Sequence, residues 1–253
     1  MNNANCIVLA LLAVVACSPD AVGTSDVIQL ALCPAGNVAP CSLQPAADGH
    51  STITAQVCAK SDSVPARDRR TDLSVALHAT RGSWLGHDAA DPTSISVPLG
   101  ASNCRLATLV TDQTPGAVEV DATLLDYTAA TQIIQIPAVV SDIDFTAANT
   151  PPLQGTDDAT AQFTVTARAS GGGLPSAGTR VAFSVENVRP SGSVAISPLT
   201  ATLDASGSAS VSLFVPSAVE QLSLKATVTP PDHSELGVAP LDPVLGEFAI
   251  SRQ

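Results

Sequence analysis

Apolar and polar positions alternate strictly in a series of short segments along this chain. Ile53, Ala55, Val57 and Ala59 take every second place in 51–59, and Leu73, Val75 and Leu77 do so in 73–79. A period of two marks a strand with one buried face. The same pattern predicts strands over 27–32, 93–99, 105–111, 117–124 and 131–136. Turn formers separate them: Pro34-Ala35-Gly36, Ala47-Asp48-Gly49, Asp91-Pro92 and Thr114-Pro115-Gly116.

The pattern then recurs. Ile53 matches Phe163 and Pro65 matches Pro175, each 110 residues on, while Leu73 matches Val181 at 108. Leu109 matches Leu213 and Ala122 matches Ala226, both at 104. The second copy predicts strands over 143–146, 161–169, 179–185, 194–197, 201–203, 209–215, 222–228 and 245–251. Seven or so short alternating strands per copy, with turns between them, argue for a Greek-key sandwich. The predicted fold class is therefore all-β, with two tandem β-sandwiches over 27–137 and 138–253. Pro137-Ala138 is the expected hinge, short enough to restrict bending. Gly171-Gly172-Gly173, with no following Lys or helix start, reads as a flexible hairpin loop and not as a phosphate cradle.

Composition narrows the partners. The 253 residues suffice for two cores of ordinary size. A net charge of −12 with only 11 basic residues speaks against nucleic acid, which needs clustered Lys and Arg. Arg67, Arg69 and Arg70 form the one basic spot and read as a solvated loop. All five Phe lie in the second half (145, 163, 183, 214 and 248), and Phe163 and Phe183 are inward by alternation.

Two resemblances add to this reading. The order Asp48-Gly49, Thr52-Ile53-Thr54-Ala55, Val57, a Pro in the next loop, Leu73-Ser74-Val75 and Gly116 to Ala122 resembles the bacterial Ig-like group 1 domain of invasin and intimin. It covers most of both halves, although the family's Asp-x-x-Gly-x-Pro loop reads Ser61-Asp62-Ser63-Val64-Pro65 here. The resemblance implies Ig-like sandwiches stacked as a stiff rod at the cell surface, with loops and sheet faces that bind. At the start of the chain, the apolar run 6–16 ends in Val14-Val15-Ala16-Cys17, similar to a bacterial lipobox. The run is too short to span a bilayer and suits a signal peptide. That resemblance implies a signal peptide over 1–16, acyl chains on Cys17 and a lipidated tether over 17–26. Ser18 after the cysteine resembles outer-membrane sorting, so the expected place is the bacterial envelope, with the membrane reached through the lipid. The segment 1–5 carries no Lys or Arg.

Four cysteines remain in the first half: Cys33, Cys41, Cys58 and Cys104. Cys33 and Cys41 are locally close. Cys58 closes one predicted strand and Cys104 opens another, and these two strands are neighbours in Ig-like sheets. Both cysteines are out of phase with the core positions. The expected pairs are Cys33–Cys41 and Cys58–Cys104, the second on the outside of a sheet. Zinc is disfavoured because the spacings of 8, 17 and 46 contain no Cys-x-x-Cys unit.

Candidate chemistry is sparse. Gly-x-Ser-x-Gly is absent, and His50, His78, His87 and His233 show no metal-ligand spacing. His87-Asp88 with Asp91 reads as a solvated loop. Asp142, Asp144, Asp157 and Asp158 flank the second copy's first strand and could converge on calcium at the junction. No catalytic residue, metal or cofactor is expected. Trp84-Leu85, in a loop, is the one large apolar pair: a binding anchor, or a cap on the open end of the sandwich. The function expected is an envelope-anchored, non-catalytic lipoprotein acting in adhesion or in protein or glycan binding. The alternative is a structural spacer or an accessory subunit of an envelope assembly or secretion system.

Overall fold

The computed structural model describes residues 27–34, 41, 44–59, 73–99, 103–149 and 152–253. The expected signal peptide, the tether with Cys17, and the loop holding Pro65, Arg67, Arg69 and Arg70 lie outside these residues.

The first sandwich is built from β1 (Ile28–Pro34), β2 (Ala46–Ala47), β3 (Thr52–Ala59), β4 (Ser74–Ala79), β5 (Ser83–Trp84), β6 (Ser94–Pro98), β7 (Cys104–Val110), β8 (Gly116–Leu124) and β9 (Tyr127–Pro137). One sheet runs β1-β3-β7-β5 and the other β2-β9-β8-β4-β6. The second sandwich holds β10 (Val140–Ala147), β11 (Ala159–Ala169), β12 (Arg180–Arg189), β13 (Ala195–Ser197), β14 (Thr200–Thr202), β15 (Ser208–Val215), β16 (Gln221–Thr229) and β17 (Val244–Ser251). Its sheets run β10-β11-β15-β13 and β14-β12-β16-β17. The alternating residues do what their period dictates. Ile53, Ala55 and Val57 are buried against Val75, Leu77, Val118 and Val120 in one core. Phe163, Val165 and Ala167 meet Val181, Phe183, Leu213 and Leu224 in another.

Each sandwich closes along one side. In the second, edge strands β10 and β17 of opposite sheets meet through Phe145 and Phe248, whose ring centroids are 5.9 Å apart. Phe163 meets Phe248 edge-on at 5.6 Å. Gly246 makes this closure possible: a Cβ there would lie 2.8 Å from Ile143 Cγ2 and 2.9 Å from Phe145 Cε2. The side opposite is bordered by short strands, β5 and β6 in one sandwich and β13 and β14 in the other. Short edges leave little unpaired backbone for unwanted strand pairing.

Three details depart from the sequence reading. β9 begins at Tyr127, four residues before the expected start, because Leu125 adopts φ 55° and Leu124 pairs directly with Tyr127. A Leu-Asp dipeptide carries no such turn signal. β2 pairs in parallel with the end of β9 over two residues, too short to be legible. The repeat is also slid. Ile53 faces Leu109 while Phe163 faces Val211, an offset of 211 − 109 = 102, not 104. Leu77 faces Ala122 while Val185 faces Leu224, again 224 − 122 = 102. A slide of two residues leaves every side chain on its original face, so the inward and outward assignments stand.

Candidate binding surface

Trp84 is not a surface anchor. It is fully buried in the first core. Its indole Nε1 donates to the Thr93 carbonyl at 2.9 Å, and its backbone N–H to the Pro92 carbonyl at 2.9 Å. β5 and β6 are the edges of opposite sheets on the open side. Trp84 fills the space between them, because a large ring with one donor is best placed where that donor finds a carbonyl. Leu85 does face solvent, at 58 % exposure. Its N–H donates to the Thr108 carbonyl on β7. Leu106, two residues from Thr108 and on the same face, is 66 % exposed.

The cystines share that sheet's outer face. Cys58 stands directly opposite Cys104 in the β3–β7 ladder, and the two are bonded with Cα atoms 4.1 Å apart. Cys33 is bonded to Cys41 with Cα atoms 5.5 Å apart. The next outward residues on β3 and β7, Thr54, Gln56 and Thr108, carry no charge. Among the described residues, the outward positions of these two strands are thus uncharged, in a chain of net charge −12.

Asp91, Asp142 and Asp158 accept from nearby backbone and hydroxyl donors. Asp91 accepts from Thr93 N and Oγ1, and hydrogen bonds from Ser94 and Thr93 hold its carboxyl below the usual range. The four acids considered for calcium do not converge. Asp142 pairs across to Arg168 at one end of β11, while Asp158 precedes the other end and accepts from Ser217 N at 2.7 Å. Ten residues of strand separate those ends by roughly 33 Å.

At the junction, the last residue of the triple glycine is pinned, while Gly171 and Gly172 stay exposed. Gly173 packs on the Asp48 side chain, where a Cβ would fall 2.7 Å from Asp48 Oδ2. Leu174 N donates to the Asp48 carbonyl at 2.9 Å, and Ala177 N to the Gln113 carbonyl at 2.7 Å. Gln113 Nε2 donates to Pro175 O at 3.2 Å. Ser176 Oγ, in a buried residue, donates to the Ala47 carbonyl at 2.7 Å and accepts from Ala138 N at 2.8 Å. Asp48 in turn accepts from Ser51 N and His50 N, and from the Thr111 hydroxyl. These bonds bind the two sandwiches to each other and to the connecting residue.

A groove that sequence reasoning missed lies on the second sandwich. β12 alternates through Val181, Phe183 and Val185, then slips register between Glu186 and Arg189. Asn187 takes φ 54°. Such a bulge re-aims side chains. Here it turns Asn187 and Arg189 over β16, beside Gln221, Ser223 and Ser251, around a cavity of about 280 Å³. Asn187 Nδ2 reaches Ser223 Oγ at 3.4 Å. Among the described residues the Arg189 guanidinium has no hydrogen-bond or ion-pair partner. Arg252, close by, is by contrast fully engaged. It donates to the carbonyls of Val219, Gly155, Asp157 and Pro216, and so ties the end of the sandwich together. The available signal was Val188, an apolar residue out of phase with Val185.

No known family model matches the chain. No curated protein matches it either. Solved structures do. Invasin, described as a bacterial integrin-binding protein, matches with a TM-score of 0.56 at 15% identity, over 89% of this chain and 39% of that one. The chain has the invasin-type tandem Ig-like fold. InvE, an adhesin of Yersinia pseudotuberculosis, aligns at 18% identity over 89% of this chain and 60% of its own, with a TM-score of 0.43. FdeC, an Escherichia coli adhesin, aligns at 20% identity over 88% and 64%, with a TM-score of 0.37. The chain thus spans about two fifths of invasin. In invasin-type terms, the groove and the uncharged cystine face lie on opposite members of the tandem pair.

Proposed function

We propose that this protein is a non-catalytic binding protein of the adhesion type, held at the bacterial envelope by lipid on Cys17, with a protein or glycan as its partner. The observation that carries this reading is the fold shared with invasin along nearly the whole chain. Two features support it. The rigid sandwiches present both an uncharged cystine-bearing face with Leu85 and Leu106 and a polar groove, which suits binding by surfaces on a fixed scaffold. The acids in the turns are taken up by backbone and hydroxyl donors, as Asp204 is by Ser206 and Ser208. That arrangement stabilises the loops that carry those acids.

Beads coated with the full chain should capture epithelial cells or matrix above the level of uncoated beads. Capture no better than bare beads would remove the adhesion reading. The bonded junction favours the second reading, a spacer in an envelope assembly, which predicts no capture but copurification with other envelope proteins. The tether is tested separately. Palmitate should label the wild-type protein, and Cys17→Ser should abolish the label and release the chain from the membrane fraction. An unlabelled wild type in unchanged fractions would remove the lipid anchor and leave the binding question open to the bead assay.

A further inference from the structure

We propose that the groove between β12 and β17 binds a carboxylate-bearing sugar, with Arg189 taking the carboxylate. The proposal deepens the binding-protein reading and rests on it. A guanidinium is a planar fork of donors that matches a carboxylate with two parallel bonds. Most of the cations near this one are spent. Lys225 pairs with Glu186, and Arg252 donates to four backbone carbonyls. The pairing of Glu186 with Lys225 also removes the nearest carboxylate on β12 as a partner for Arg189. Arg189 is left exposed over the groove, in a chain whose net charge is −12. At physiological salt, repulsion from acids farther than about 8 Å is screened.

The rest of the lining selects a sugar over a peptide side chain. Asn187 and Gln221 offer side-chain amides, each both donor and acceptor, Ser251 offers a hydroxyl, and buried Ser223 holds the Asn187 amide in place. These are the complements of ring hydroxyls. The larger apolar members, Leu222 and Ile250, are 2 % and 3 % exposed, so they lie beneath the floor and form no apolar pocket. Ala249 supplies a small flat patch for the apolar face of a ring. A volume of about 280 Å³ sits at the lower end for ligand sites and suits a single ring. The bulge makes the site: a regular β12 would send Asn187 inward, as it does Val185.

Methyl β-glucuronide and methyl β-glucoside are the probes, titrated into the full chain and followed by amide chemical shifts. The glucuronide should shift the amides of Asn187, Gln221, Ser223 and Ser251. Loss of its carboxylate, or Arg189→Gln, should weaken binding about tenfold or more, because either change removes a charge-assisted hydrogen bond. Arg189→Lys should keep part of the affinity. Equal binding of the glucoside, indifference to Arg189→Gln, or no shift at the solubility limit overturns the proposal. If the glucuronide fails to bind while coated beads still capture cells, the groove proposal falls and the adhesion reading stands.

Discussion

At the scale of the residue, Trp84 shows how burial redefines a side chain. Removing a buried ring leaves a cavity as well as losing its transfer energy. Trp84→Ala should cost about 3–5 kcal/mol and lower the melting transition of the first sandwich, leaving the second in place. Leu85→Ala, one residue on and exposed, should stay within about 0.5 kcal/mol. Calorimetry of the two variants separates these outcomes, and a near-neutral Trp84→Ala would contradict the core assignment. Asp204 carries a pH effect. Hydrogen bonds from the Ser206 hydroxyl and from Ser208 and Ser206 N–H hold its carboxyl below the ordinary value. A folded-state value that is depressed gives stability that is present above the unfolded value and lost as pH falls through the folded one. The turn over 204–208 should therefore loosen below the ordinary carboxylate range, seen as faster amide exchange at Ser206 and Ser208. Asp204→Asn should flatten that dependence; identical acid profiles for the two proteins would contradict it.

At the scale of the element, the two sandwiches are reinforced differently. The first has a cystine across neighbouring strands β3 and β7, and the second has Phe145, Phe163 and Phe248 packed together where β10 meets β17. In the chain-entropy account, the 46-residue closure by Cys58–Cys104 is worth roughly 3–4 kcal/mol. Reduction should lower the first melting transition and leave the second nearly unchanged. Gly246→Ala should do the reverse, costing about 1–3 kcal/mol as Ile143 and Phe145 are forced aside. A variant in which the first transition moved instead would show that β10 does not seal the second sandwich. Most of these elements were legible because alternation is a local property. β2 and the β12 bulge were not, since two paired residues and one slipped register leave almost no periodic trace.

At the scale of the whole molecule, the junction matters most. Ser176 bridges Ala47 and Ala138, and Gly173 admits Asp48. Ser176→Ala would leave a buried N–H and a buried carbonyl without their partner, about 1–3 kcal/mol for each. Gly173→Ala would drive a methyl group into the Asp48 carboxylate. Both should broaden the angle between the sandwiches in residual dipolar couplings while the two cores keep their own couplings. Unchanged relative alignment in Gly173→Ala would mean that the contact does not set the geometry. In sequence, the short Pro137-Ala138 hinge alone predicts restriction, and Gly171 to Gly173 read as a loose hairpin. The observed restraint comes instead from that loop meeting a turn over 120 positions earlier in the chain.

By itself, the sequence determined most of the strands, their inward faces and the two tandem sandwiches, and with the Ig-like resemblance the pairing of the four cysteines. Those features follow from period-two burial and from the adjacency that such strands impose, and a slip of two residues between copies does not disturb them. Only the tertiary structure decided the rest. Trp84 became core because two sheet edges meet at its position. Asp48 became a junction residue because Gly173 has no side chain to exclude it. Asn187, Arg189, Gln221 and Ser251 became neighbours because a bulge on one strand turns two of them across a second strand toward a third. Each of these depends on closeness between segments far apart in the chain, which a local pattern of hydrophobicity does not encode.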